Sequence, residues 1–172
     1  MRKMVSKNTS NYRYLVVGGT GMLVPLCEAL GLDKVIIASR FLSNKSEIER
    51  LCMKAKCVYL DYYCETSRLQ FVKDLGQWTD LEYFILWVHS SAHAFSCQLI
   101  DQISTWTRPP HIIHIFGSKA ESVMIAEHAR VNNISYTEVR LRRKILTSGW
   151  RWLTHQEISQ QVLEALQTAG KH

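Results

Sequence analysis

Residues 12–17 (YRYLVV) form a β-branched and aromatic run that stops at Gly18-Gly19-Thr20-Gly21. An apolar stretch from Met22 to Leu30 follows, closed by Gly31 in the position of a left-handed helix cap. A strand that turns on glycines into a helix is half of a strand–helix–strand unit, and it constrains the fold more than any other feature.

The alternation then repeats. Residues 34–38 (KVIIA) read as a buried strand, and Ser46-Glu47-Ile48-Glu49 has the spacing of a helix capping box. Ile48, Leu51, Cys52 and Ala55 share one face of that helix. Residues 57–60 read as a third strand, 66–75 as a helix stopped by Gly76, and 83–88 (YFILWV) as a fourth strand. Phe95, Leu99, Ile103 and Trp106 line the next helix, which ends before Pro109-Pro110. Residues 111–116 (HIIHIF) make a fifth strand, about 120–131 a helix, and 134–146 a sixth strand. Thr154-His155-Gln156-Glu157 is a second capping box, opening a last helix with Ile158, Val162 and Leu166 on its buried face. Strands alternating with helices predict a doubly wound parallel sheet of about six strands, covered on both faces as three α/β/α layers.

Length and composition fit one domain. The 172 residues are 47% AVILMFWYC and 21% DEKR, which excludes a disordered or fibrous chain. Residues 1–11 read as a disordered or extended tail and 12–172 as a single domain. No apolar run approaches the ~20 residues of a membrane span, and residues 1–13 lack the apolar core of a signal peptide. The five cysteines are odd in number and form no C-x-x-C pair, so a disulfide scaffold or zinc site is not expected and a cytoplasmic location is. The net charge of +6 suits a phosphate-rich small ligand as well as a nucleic acid.

In a doubly wound sheet, ligands bind beyond the carboxyl ends of the strands. There, Gly18, Gly19, Thr20, Gly21, Met22 and Leu23 form a glycine turn before a helix N-terminus, the context in which a pyrophosphate approaches the backbone. The alternative is a turn with no ligand. After the second strand, where NAD-binding folds place an acid for the ribose 2′-hydroxyl, stand Ser39 and Arg40. An acid would repel a 2′-phosphate, whereas Arg can clamp it, so NADP(H) is the expected cofactor unless Arg40 is a solvated surface residue.

These residues resemble the short-chain dehydrogenase/reductase (SDR) superfamily over residues 12–146. More narrowly, GGTGML and RWLTHQEIS resemble a group of small bacterial proteins beside that superfamily. The resemblance implies a Rossmann-like fold and an oxidoreductase transferring hydride to a small carbonyl or imine. It places Asp61 at the adenine amino group, with Tyr62 beside it. Val88, His89 and Ser90 fall beside the nicotinamide ribose, and Ser118 at the active-site serine. The sequence departs from the family in one decisive respect: the Y-x-x-x-K pair is missing, since residues 119–133 contain no tyrosine. Tyr136 and Arg140 have the spacing but fall in an expected strand. Val24 replaces the third glycine of the extended pattern, and the usual insertion after the sixth strand is absent. Ser118 and His89 are therefore the candidate catalytic residues, with a catalytically silent NADPH-binding regulatory or scaffold protein as the alternative function.

Each candidate also has a plainer role. Ser118 would cap the following helix, His89 would be merely hydrogen-bonded, and Cys97 would be core. His89 and His93 lack a companion carboxylate, so no metal is expected. Arg140, Arg142 and Lys144 would share one face of the sixth strand with Arg143 opposite, as a solvated end or subunit contact; without aromatic interleaving, nucleic acid is not an expected partner. Trp150 and Trp152 are expected in the core. A homodimer would complete the pocket of so small a chain around an unidentified small-molecule substrate.

Overall fold

A computed structural model describes residues 11–18, 20–42, 44–117 and 122–170. Six parallel strands form one sheet: β1 (Tyr14–Val17), β2 (Val35–Ser39), β3 (Lys56–Tyr59), β4 (Tyr83–Leu86), β5 (His111–Phe116) and β6 (Tyr136–Arg140). Their order is β3-β2-β1-β4-β5-β6. The chain builds outward from β1 to β3, then crosses back to place β4 on the other side of β1. The strand order thus reverses between β1 and β4, where open α/β sheets form their ligand crevice.

Alternation along each strand divides the core into two layers. Leu15, Val17, Ile36, Phe84, Leu86 and Ile112 face one side with Phe71, Leu99 and Ile125 of the helices α3 (Glu65–Leu75), α4 (His93–Ile103) and α5 (Val123–Val131). Val16, Ile37, Ile85 and Ile113 face the other with Leu26, Leu51 and Val162 of α1 (Val24–Leu30), α2 (Lys45–Cys52) and α6 (His155–Ala169). The predicted three-layer architecture is the observed one.

The second capping box is formed as expected: Thr154 Oγ1 accepts from the Glu157 N–H at 3.2 Å, and Glu157 Oε1 accepts from the Thr154 N–H at 3.1 Å. The first is not. Asn44 caps α2 instead, its side-chain oxygen accepting from the N–H groups of Ser46 and Glu47. Asn is a strong cap, and it outcompetes the serine two residues on. Cys52 is exposed rather than on the buried face.

The expected sixth strand is also shorter. It stops at Arg140, and the chain then forms a small antiparallel hairpin, β7 (Lys144–Leu146) with β8 (Gly149–Arg151). Arg140 and Lys144 consequently lie on different strands rather than on one face. Trp150 and Trp152 are 52% and 65% exposed, pack edge to face on one another, and so stand outside the core. Cys52 and Cys57 pair as a disulfide joining the end of α2 to the start of β3, a bond that the absence of C-x-x-C spacing did not announce. No helix among the described residues is long and apolar enough to cross a membrane.

Candidate functional site

At the carboxyl ends of β1 to β4 lies a cavity of about 200 Å³. Gly18 and Thr20 after β1, Ser39 and Arg40 at β2, Leu60 and Tyr62 after β3, and Trp87 after β4 line it. Backbone bonds fix this rim: the Gly18 N–H donates to the Ala38 carbonyl at 2.9 Å, and the Trp87 N–H to the Val17 carbonyl at 3.1 Å.

Gly18 has a φ of +86°, and a Cβ there would lie 3.0 Å from the Trp87 carbonyl oxygen and 3.3 Å from its Cδ1. Glycine is therefore required by the fold itself. At Gly21 a Cβ would meet nothing within 4 Å, so protein packing does not demand that glycine. Met22 and Leu23 complete the turn; Leu23 is buried, and the first turn of α1 holds no acidic residue. Gly19 lies outside the described residues.

The Thr20 and Ser39 hydroxyls are 2.8 Å apart, and Ser39 Oγ also accepts from the Phe41 N–H at 3.1 Å. This pair ties the glycine turn to the end of β2 and leaves the exposed Arg40 at the cavity. Arg40 has no acidic partner among the described residues, and no carboxylate lines the cavity.

Asp61 does not line it. Its carboxylate accepts from the Tyr63 N–H at 3.0 Å and shapes the turn after β3. Tyr62 does: its ring stacks on Phe95 at 5.9 Å between centroids, and its hydroxyl accepts from the His89 N–H at 3.3 Å. Val88 is buried, while His89 and Ser90 are exposed. His89 Nδ1 accepts from the Ser91 N–H at 3.3 Å and lies 2.8 Å from Ser91 Oγ, which is 2.8 Å from the Tyr63 hydroxyl. A ring nitrogen that accepts from a backbone N–H carries no proton, so the neutral His89 bears its proton on Nε2. That arrangement leaves a donor available rather than consumed.

Ser118 lies outside the described residues. The helix expected to start near residue 120 begins, in its described part, at Val123. Ser122 at its N-cap position makes no capping bond and donates instead to Glu138 Oε2 at 2.8 Å. Tyr136 is the first residue of β6, at the amino end of the strand and not at the carboxyl ends where the crevice lies, and its hydroxyl meets His114, a position unlike that of a cofactor-facing tyrosine on a helix.

Two features escape a reading of the sequence. Trp87 lies inside the apolar run 83–88 and reads there as strand interior, yet it borders two cavities. The second cavity, of about 250 Å³, has Met22, Trp87 and Gly117 at the ends of the sheet among its walls. Leu141, Arg142, Trp152, Leu153, His155 and Ile158 supply the rest. The residues just after β6 and the segment leading into α6 close it over the end of the sheet.

No protein-family model and no curated protein matches the sequence. Solved structures do match the fold. A provisionally assigned short-chain oxidoreductase from Thermus thermophilus superposes with a TM-score of 0.64 at 16% identity, over 90% of this chain and 95% of that one. A metagenomic short-chain oxidoreductase solved in complex with NADP gives 0.60 at 12% identity, over 91% and 90%. With its six-strand order and crevice position established from its own residues, the chain has the fold of the short-chain oxidoreductases.

Proposed function

We propose that the chain binds NADP(H) across the β1–β4 crevice and is an oxidoreductase that reduces a small carbonyl or imine. The observation that carries the cofactor assignment is Arg40: a guanidinium without an acidic partner among the described residues, at the end of β2, beside a cavity that no carboxylate lines. Thr20 and Ser39 add hydroxyls next to it, and Gly21 leaves the turn open to close approach. These groups fit a 2′-phosphate better than a free ribose hydroxyl. A protein of the same fold solved with NADP supports the reading.

Bound NADPH would supply the hydride; the chain must orient the acceptor and provide a proton. We assign that task to His89, whose Nδ1 is anchored on Ser91 and whose Nε2 has no partner among the described residues. Ser118 would help to orient the acceptor.

A second reading is favoured by Tyr136. The one tyrosine spaced four residues before a basic side chain near the family position is occupied with His114 at 3.1 Å, which suits a protein that binds NADPH without hydride transfer. Titration of NADPH and NADH fluorescence tests the first half of the proposal, and equal affinity for both refutes the NADP(H) assignment. NADPH oxidation against a panel of aldehydes, ketones, quinones and imines then separates the two readings. Turnover of any acceptor establishes the enzyme, and tight binding with no oxidation establishes the silent binder.

A further inference from the structure

The second cavity has a chemical character of its own. Met22, Trp87, Trp152 and Ile158 give it an apolar lining, and its ionisable groups are Arg142 and His155, with no acid among them. The surrounding segment is strongly basic. Between residues 142 and 157 stand Arg142, Arg143, Lys144 and Arg151, against Glu157 alone.

The basic residues are not equivalent. Glu157 is held by Arg151 at 2.6 Å and Lys144 at 3.1 Å, contacts that keep its carboxyl ionised well below the usual carboxylate range. Arg143 lies over the Trp150 ring at 4.6 Å. Arg142 alone of the four has no partner among the described residues, and it is the one that lines the cavity. An unpaired guanidinium beside apolar and indole surfaces recognises an amphipathic anion: rings against the indoles, a carboxylate on the fork. At about 250 Å³ the cavity is small for a ligand site, which restricts the apolar part to one or two rings.

We propose that this cavity binds a small aromatic carboxylate, with Arg142 as its counter-ion and Trp152 as its packing surface. Met22 belongs to the glycine turn and Gly117 follows β5, so the ligand would lie beside the cofactor crevice and share Trp87 with it. Its role as hydride acceptor rests on the cofactor reading of the previous section; its binding does not.

The test uses 2-naphthoate and its neutral isostere 2-naphthamide, titrated by calorimetry with and without saturating NADPH. Indole NMR signals of Trp87 and Trp152 locate the ligand. Naphthoate is expected to bind about tenfold tighter than the amide and alongside NADPH. Arg142→Ala should abolish that preference while leaving the amide unchanged, Arg142→Lys should restore part of it, and Trp152→Ala should weaken both ligands. Equal affinity for acid and amide, no effect of Arg142→Ala, or displacement of naphthoate by NADPH would each overturn the proposal. NADPH affinity is measured on the same samples. Its absence with naphthoate binding intact would remove the cofactor reading and leave this one standing.

Discussion

The Tyr136 hydroxyl lies 3.1 Å from Nδ1 of His114, an imidazole with no exposed surface, whose Nε2 has no hydrogen-bond partner among the described residues. Burial, with the nearby His93 adding to it, pushes the His114 pKa down to about 3. His93, whose ring centroid is 6.2 Å away, is lowered in the same direction by burial and by His89. The side of the sheet under α4 thus holds two imidazoles that the fold keeps neutral.

This arrangement makes the fold acid-labile. The folded pKa of His114 is depressed, so stability is complete above the unfolded value of 6.5 and is lost as pH falls from there toward about 3. One proton per pH unit is worth about 1.4 kcal/mol, so His114 alone should remove about 2–3 kcal/mol between about pH 6.5 and pH 4.5. Urea denaturation at several pH values measures this. His114→Gln should flatten the slope by close to one proton, and an unchanged slope would show that His114 does not titrate as described.

The two glycines of the turn should behave differently. Gly18→Ala forces a side chain into a left-handed conformation and toward the Trp87 carbonyl, a backbone atom just past the neighbouring strand β4 that cannot swing aside. A loss of about 1–3 kcal/mol of stability is expected. Gly21→Ala meets no protein atom and should leave thermal stability nearly unchanged while weakening NADPH. If both variants unfolded alike, Gly21 would be structural and not a ligand position.

Much of this is legible because parallel strands buried on both faces read as unbroken apolar runs. That signal locates β1, β2, β4 and β5 to within two residues, and the glycine turn locates the crevice; the partly exposed edge strands β3 and β6 carry it weakly, and β6 ends six residues short of its expected limit. The signal fails where apolar residues are not buried. Trp150 and Trp152 read as core, but the chain leaves the sheet after Arg140, and the hairpin it forms holds them outward. Ser46-Glu47-Ile48-Glu49 satisfies a capping pattern, but patterns do not rank competing caps, and Asn44 holds the position. Trp87 is invisible for a third reason: whether a residue at a strand end faces core or crevice depends on the neighbouring strands, and no local pattern encodes that.

Arg40 should discriminate between cofactors. Removing a charge-assisted contact costs about 2 kcal/mol, so Arg40→Ala is expected to weaken NADPH about 30-fold and to change NADH little. The difference should shrink at high salt, because Arg40 is exposed. Fluorescence titration of both cofactors reads this directly, and a parallel loss for NADH would mean that Arg40 supports the rim of the cavity rather than a phosphate.

His89 carries the last prediction. Ser91 supplies its Nδ1 with a backbone donor and places a hydroxyl beside it, and Tyr63 lies behind that hydroxyl. The network should show a predominantly Nε2–H tautomer in nitrogen NMR, and Ser91→Ala should weaken that preference without removing it, since the backbone N–H remains. If Nε2–H is the proton donor, His89→Ala should lower turnover of the acceptor by ~10²–10⁴. NADPH affinity should change far less, because Tyr62 contacts the His89 backbone and not its ring. Single-turnover kinetics with bound NADPH separate the two quantities. A variant that keeps its turnover would return His89 to the role of a merely hydrogen-bonded residue, with the proton supplied from elsewhere.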